Sequence, residues 1–533
     1  MELDFKDLFV LDLANNHQGD VRHGLKIIRG CGEMARKHNI RAAVKFQFRQ
    51  LDSFVHPSHK EGSDNKHIPR FLSTRLSKDD WKTLFDAVEA EGLLTMCTPF
   101  DEESVPIITD LGFDFIKVAS CSAKDWPLLE AVASAAMPVV VSTGGLGISD
   151  VDKITSFFDH KGVPHALMHC ISIYPIPKDD FHLNHIDTLK KRYPKLTIGW
   201  STHEDPNETA PVHIAVGKGA QMFERHVGFE TEDIKLNKYS STPEQLDKWF
   251  AAYRYAKDMC GPVNSRPTIP VETESLDSLK RGIFVKKNVR TDRPLSRDDV
   301  YFAMPYVPGQ LSSEFWTEGM VTKGSLKKDA PVMPADVRIP AKPDNQILKS
   351  AIHQVKAMLN EASIVLDSGF TIEFSHHYGV KNFLSVGALI VDCVNREYCK
   401  KLIVVLPGQR HPAHFHKRKE ETFQVLSGVF ECVVDGHRRT LHPGETSLVQ
   451  PGVWHRFWSD TGCIVEEIST THYNNDSIYN DRRINELARS ERKTIVKHWG
   501  RFELVDEQPG VVPEKGTRPV VRAGGEQVAP PGT

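Results

Sequence analysis

Eight short apolar runs, separated by helical stretches, constrain the first half of the chain more than any other feature. They are residues 9–16, 41–48, 93–100, 113–120, 138–143, 165–172, 196–203 and 220–227. Between them, segments such as 24–37, 78–90 and 125–135 space their apolar residues at the helical period. Eight β–α units over residues 1–265 predict an α/β TIM (β/α)8 barrel. An open doubly wound sheet would carry a glycine-rich phosphate turn after its first strand, and the sequence has none there.

In a barrel of this kind the C-terminal ends of the strands converge on one rim. The runs end, in order, in Asp12, Asn15, Asn16 and His17; Lys45 and Gln47; Thr98; Lys117 and Ser120; Ser142 and Thr143; Ser172 and Tyr174; Ser201 and His203; and Glu224 and His226. Two neutral imidazoles with room for water and substrate oxygens suit a divalent transition metal. Lys45 and Lys117 each stand alone among apolar neighbours on their strands, which points to an anion site rather than to ion pairs. With the hydroxyls, they form a ring suited to a phosphate and a carboxylate.

Composition excludes several other classes. The chain has 533 residues, 40% hydrophobic and 26% charged, which calls for more than one core. A formal net charge of −3 without a basic stripe predicts no nucleic-acid partner. No apolar run reaches the roughly 20 residues needed to span a bilayer, and the acidic start MELDFKDLFVLDLANN is not a signal peptide, so no membrane partner and a cytoplasmic location are expected. Nine thinly spread cysteines, among them Cys97, Cys121 and Cys170, are expected to be reduced.

The strings NNHQGD, VKFQ, CTPFD, DFIKVAS, VVVSTGG, HCISIYP, GWSTH and ERH, in this order, resemble the N-acetylneuraminate (sialic acid) synthase family. The resemblance implies condensation of phosphoenolpyruvate with an N-acyl amino sugar to a nonulosonic acid. It implies that Lys45, Thr98, Lys117, Ser120, Ser142 and Ser201 hold phosphoenolpyruvate. His203 and His226 become ligands of a divalent metal, manganese being usual and magnesium an alternative. Asp12 falls near the metal and reacting centre, and Gln47 and Tyr174 fall on the sugar side. Three positions depart from the family: Ser172 replaces an Asn, Ser122 a carboxylate, and Asn237 an Asp in the sugar loop. The donor half is thus intact and the acceptor half rebuilt, which implies an aldose other than N-acetylmannosamine.

Residues 272–337 change texture to short strands and turns, with a helix start at Ser296–Asp298. They resemble the antifreeze-like (SAF) lid that follows the barrel in these synthases, and that resemblance implies a domain-swapped homodimer. The family's Arg before Pro-Gly is absent from the stretch MPYVPG, residues 304–309.

Beyond a polar linker and a helical stretch at 347–361, the string GQRHPAHFHKRKEETFQVLSG places His414, His416 and Glu421 at cupin spacing, and PGETSLVQPGVWH adds His455. Alternation along a strand puts His414 and His416 on one face. Three imidazoles and a carboxylate accept manganese, iron, zinc or nickel. The cupin, residues 347–475, resembles sugar isomerases of the D-lyxose isomerase kind, and three roles follow: aldose–ketose exchange, presentation of the open-chain aldose, or sugar binding alone. A polar, partly helical extension is expected at 476–507 and a disordered tail at 508–533. The leading expectation is a metal-dependent synthase with an appended cupin; the alternatives are a cupin isomerase or a non-catalytic sugar-binding protein.

Overall fold

Strands β1 (Leu8–Asp12), β2 (Arg41–Phe48), β3 (Leu94–Pro99), β4 (Phe115–Val118), β5 (Val139–Ser142), β6 (His165–Cys170), β7 (Ile198–Thr202) and β8 (Met222–His226) close into a parallel barrel in chain order. All eight expected runs are therefore strands. The structure, a computed structural model, describes residues 4–262, 266–367, 369–500 and 503–504. The expected tail at 508–533 lies outside the described residues. Among them, no helix is long and apolar enough to cross a membrane.

Period-two alternation explains both the core and the mouth. Phe9, Leu11, Val44, Phe46, Val139, Val141, Trp200 and Phe223 point outward and pack under the helices. Leu8, Val10, Ala43, Met96, Phe115, Val140, Met168 and Met222 form a separate apolar plug. Two residues further along each strand, the same inward column becomes polar: Val10 gives way to Asp12, Ala43 to Lys45, Met96 to Thr98, Phe115 to Lys117, Val140 to Ser142 and Met222 to Glu224. The plug closes one end of the barrel and the polar ring lines the other. Helices start where the chain provides caps: Ser77 and Asp80 form a capping box before Lys78–Ala90, and Thr242 and Gln245 another before Pro243–Cys260.

The chain divides into two compact units, meeting at residues 268 and 269. The second begins with a helix, Pro270–Leu279, and a small β-rich body. In that body Gly282–Val285 pairs with Val300–Ala303 and Val321–Thr322 with Val337–Arg338, around a core that includes Ile283, Val285, Leu295, Val300 and Met320. The helix start expected at Ser296 is a single 3-10 turn, Arg297–Asp299, closed by reciprocal Ser296–Asp299 hydrogen bonds.

After the helix Asp344–Glu361, an eight-stranded and a five-stranded antiparallel sheet follow. The stretch expected as a polar, partly helical extension does hold two short helices, Arg482–Glu486 and Arg489–Arg492, but its strands belong to these sheets. Ser477–Tyr479 pairs with the strand that carries His414 and His416, and Lys493–Lys497 pairs with Thr371–Ser375. Only alternate residues of such short strands face inward, so they read as polar in the sequence.

Candidate functional site

Register assembles the barrel mouth. Asp12 lies opposite Lys45 across β1–β2 and opposite His226 across β1–β8, while Ser201 lies opposite Glu224 across β7–β8. Lys45 Nζ stands 3.0 Å from Asp12 Oδ2 and 2.5 Å from Glu224 Oε1. Lys117 Nζ stands 2.9 Å from Glu224 Oε2 and donates to Ser142 Oγ at 2.5 Å. All these groups are buried. Burial opposes the charge on Glu224, but the two ammonium groups outweigh it and hold the carboxyl well below its ordinary range. Lys45, with two carboxylates beside it, is raised despite its burial. Lys117, with one, is lowered because burial prevails over the pull of Glu224.

His203 and His226 face one another with ring centroids 5.3 Å apart. His203 Nδ1 donates to the Ile171 carbonyl at 3.1 Å, which leaves Nε2 as the free lone pair. Burial and the neighbouring His226 push His203 down to about 3, and burial lowers His226 as well, so both are neutral at neutral pH. His226 Nε2 lies 3.5 Å from Asp12 Oδ2. Asp12 also accepts from Gln47 Nε2, at 3.1 Å on Oδ2, and from the Ala14 amide at 2.9 Å.

The structure brings together Asp12, Lys45, Gln47, Lys117, Ser142, His203 and His226 through these contacts. The Thr98 hydroxyl is buried at the mouth without a hydrogen-bond partner among the described residues. The Ser120 hydroxyl accepts from the Gly144 amide at 3.0 Å, and a Cβ on Gly144 would overlap the hydroxyls of both Ser120 and Ser172. Ser201 is buried on the inward column of β7. The Tyr174 ring is half exposed and packs on His203 at 4.1 Å. Asn237 is exposed and its side chain accepts from the Tyr239 amide, and it is the Tyr239 ring, 5.3 Å from His226, that reaches the histidines.

One feature differs from the sequence reading. Lys45 and Lys117 are not isolated cations, because Glu224 bridges them. Glu224 was visible at a strand end, but nothing local indicated that barrel closure would aim it between two lysines.

The cupin site is more closed. His414 and His416 alternate on strand Arg410–His416, Glu421 opens Glu421–Gly428, and His455 opens His455–Trp458, opposite His414. One donor atom from each of the four lies within 4.8 Å of all the others. The Nδ1 atoms of His414 and His455 donate to the carbonyls of Pro412 and Val453 at 3.0 and 3.1 Å, and His416 Nδ1 meets Ser477 Oγ at 3.2 Å. Each ring thus turns Nε2 inward, with its orientation fixed by the hydrogen bond at Nδ1, as in a histidine poised to ligate a metal. His455 Nε2 and Glu421 Oε1 are 2.8 Å apart, yet neither has a properly oriented hydrogen-bond partner among the described residues. Such orphaned, convergent donors fit a divalent cation. Lys419 pairs with Glu421 and, at 2.8 Å, with Glu467. Burial works against Glu421, but Lys419 holds it well below the ordinary range.

Comparison with known proteins agrees with this geometry. A model of the NeuB family matches residues 34–265 and a cupin-domain model matches residues 401–466. A spore coat polysaccharide biosynthesis protein E from Chromobacterium violaceum, of known crystal structure, is 42% identical, covers 62% of this chain and 100% of its own, and superposes with a TM-score of 0.61. An uncharacterized protein from Methanocaldococcus jannaschii is 29% identical over 54% of this chain and 82% of its own. The N,N'-diacetyllegionaminic acid synthase of Legionella pneumophila is 25% identical over 57% of this chain and 88% of its own. The chain carries a cupin in its second unit and, through its barrel, belongs to the NeuB family.

Proposed function

We propose that the barrel condenses phosphoenolpyruvate with the aldehyde of an open-chain aldose, an N-acyl amino sugar or a relative of one, releasing phosphate and a 2-keto-3-deoxy sugar acid. The Lys45–Glu224–Lys117 bridge beside the His203–His226 pair carries this reading. Two ammonium groups in one buried ring match the phosphate and carboxylate of the donor, and the hydroxyls of Thr98, Ser120, Ser142 and Ser201 complete its seat. The legionaminic acid synthase relative supports the reaction class.

Asp12 and Glu224 pair with Lys45 and Lys117, so a polyanionic donor competes with these carboxylates for the two ammonium groups, and a divalent ion beside them would supply further positive charge. His203, His226 and Asp12 would hold a divalent ion, manganese or magnesium, which when bound supplies Lewis acidity toward the aldehyde oxygen. The two lysines hold the donor with its enol carbon facing that aldehyde. Bond formation makes an alkoxide of the aldehyde oxygen and leaves positive charge on the donor carbon that bears the phosphate; water adds there, and Asp12 is placed to take its proton and pass it to the alkoxide. Collapse of the adduct expels phosphate against Lys117 and Ser142, which stabilise the charge as it builds.

The test is phosphate release from phosphoenolpyruvate with manganese and a panel of N-acyl amino sugars and plain aldoses. Release that depends on the sugar is expected; none across the panel sinks the reading. The cupin supports a second role on the same pathway of sugars. Its four convergent ligands and the buried Lys419–Glu467 pair suit binding a sugar to a transition metal, with aldose–ketose exchange as the activity to assay.

A further inference from the structure

The residue after next beyond Gln47 is Arg49, one more step up the inward column and outside the strand itself. Its guanidinium lies between two rings, 4.1 Å from the Phe71 centroid and 3.6 Å from that of Phe100. One nitrogen donates to Gln47 Oε1 at 3.2 Å, and Nε is buried with no hydrogen-bond partner among the described residues. Among the described residues Arg49 makes no ion pair. The carboxylates that its charge senses are engaged elsewhere: Asp12 by Lys45 and Gln47, and Asp101 by the amides of Gln50 and Ser104. Burial pushes its pKa down to about 10. Nearby Arg75, by contrast, is already held by both oxygens of Asp52.

A largely buried guanidinium without a counter-ion is costly to fold around and is a recurrent mark of a ligand's anion. Arg49 also faces space. A cavity of about 660 Å³ runs from Gln47 past Arg49 and Phe71 to Lys78 and Trp81, large enough for a sugar with a charged substituent. Gln47 links the two regions, because its amide nitrogen contacts Asp12 and its oxygen receives Arg49. Lys45 sits deeper on the same strand and Lys117 deeper on β4, two strands round, whereas Arg49 stands further out, past the end of β2.

We propose that Arg49 binds an anionic group, phosphate or carboxylate, at the far end of the acceptor, so that the aldose consumed is a sugar phosphate or a sugar acid and not a neutral sugar. The assignment rests on the condensation reading above for the word acceptor, but the binding site does not. The two aromatic rings against the guanidinium hold it in place by cation–π contact.

The experiment uses the full chain with manganese, phosphoenolpyruvate, and three probes: an N-acetylhexosamine, its 6-phosphate and a hexuronate. Phosphate release and calorimetric binding are both measured for the wild type and for Arg49→Met. For the wild type, the 6-phosphate or the uronate should bind and react with a KM at least about tenfold below that of the neutral sugar. In R49M that preference should vanish while the KM for phosphoenolpyruvate stays within about twofold. Which of the two anionic probes is preferred identifies the group. Equal use of the neutral sugar, or a rise confined to the phosphoenolpyruvate KM, overturns the proposal. Arg49-dependent binding of an anionic sugar without any phosphate release would leave the site standing and sink the condensation reading; no Arg49-dependent binding sinks the site.

Discussion

Asp12 and His226 lie opposite one another on the seam where β8 meets β1, and their side chains stand 3.5 Å apart. The first and last strands thus place a carboxylate and an imidazole at one point, and only barrel closure can do so. Lys45, one strand further round, ties this pair to the Glu224 bridge. The candidate centre is therefore one connected network of charges, and its members respond to substitution together.

Replacing Glu224 by Gln leaves Lys45 and Lys117 close together with no bridging charge. The barrel should lose about 3 kcal/mol of stability, since one partner of a buried ion pair has been removed. Phosphoenolpyruvate should then raise the thermal transition of E224Q more than that of the wild type, because its anionic groups replace the lost carboxylate. A smaller ligand-induced shift in the variant would show that the lysines do not seat the donor.

Gly144 is a steric requirement, with no left-handed backbone to complicate the test. In G144A the new methyl meets the hydroxyls of Ser120 and Ser172. The fold should persist, while the KM for phosphoenolpyruvate rises about tenfold, as expected for losing one or two hydrogen bonds to a charged group. An unchanged KM would remove Ser120 from the donor seat.

The two metal centres should be separable. His203→Ala should abolish phosphate release and lower the metal content measured by plasma emission, with the cupin ion retained. His455→Ala should lose the cupin ion and keep sugar-dependent phosphate release. If H203A also empties the cupin, the sites are not independent.

Asp299 supplies a pH signature in the small β-rich body. It accepts from the Ser296 amide at 3.0 Å and the Ser296 hydroxyl at 2.9 Å, and pairs with Lys287 and Arg293 at 3.0 and 2.9 Å. The Ser296 amide hydrogen bond, with help from the two cations, lowers its pKa to about 2. A carboxylate depressed on folding stabilises the folded form at pH values above its ordinary range near 3.8. That contribution declines as pH falls toward about 2. Protection against hydrogen exchange in this body, relative to the intrinsic amide rate at each pH, should therefore fall between pH 4 and 2, roughly, in the wild type. In D299N the body should be about 1 kcal/mol less stable at neutral pH and should show a flatter acid dependence. An identical acid profile in the variant would rule this carboxylate out as the source.

Much of the site was readable because strand alternation is local. Val10 and Asp12, Ala43 and Lys45, or Met222 and Glu224 are two residues apart, so an apolar column ending in a polar tip can be recognised without knowing its neighbours. The cupin ligands were readable for the same reason: His414 and His416 share a strand face, Glu421 opens the next strand after a short polar turn, and Gly452 punctuates the turn into the strand that His455 opens. What the sequence could not disclose was partnership. Lys45 and Lys117 looked solitary because their counter-ion comes from β8, more than a hundred residues away. Asn237 lies in the sugar loop by resemblance, yet its side chain caps the turn that sends Tyr239 to the histidines. Residues 476–500 read as polar extension because their inward positions are too few to form a pattern.

The chain's own residues determined that eight strands would carry their chemistry at one end and that a second unit would gather three imidazoles and a carboxylate. Tertiary structure alone decided that Glu224 would clamp two lysines, that Asp12 would meet His226, and that Arg49 would be largely buried with no anionic partner among the described residues. The physical reason is distance along the chain. Backbone geometry sets which face a side chain takes within two residues, whereas the partner it meets there depends on how a closed sheet brings remote strands into register.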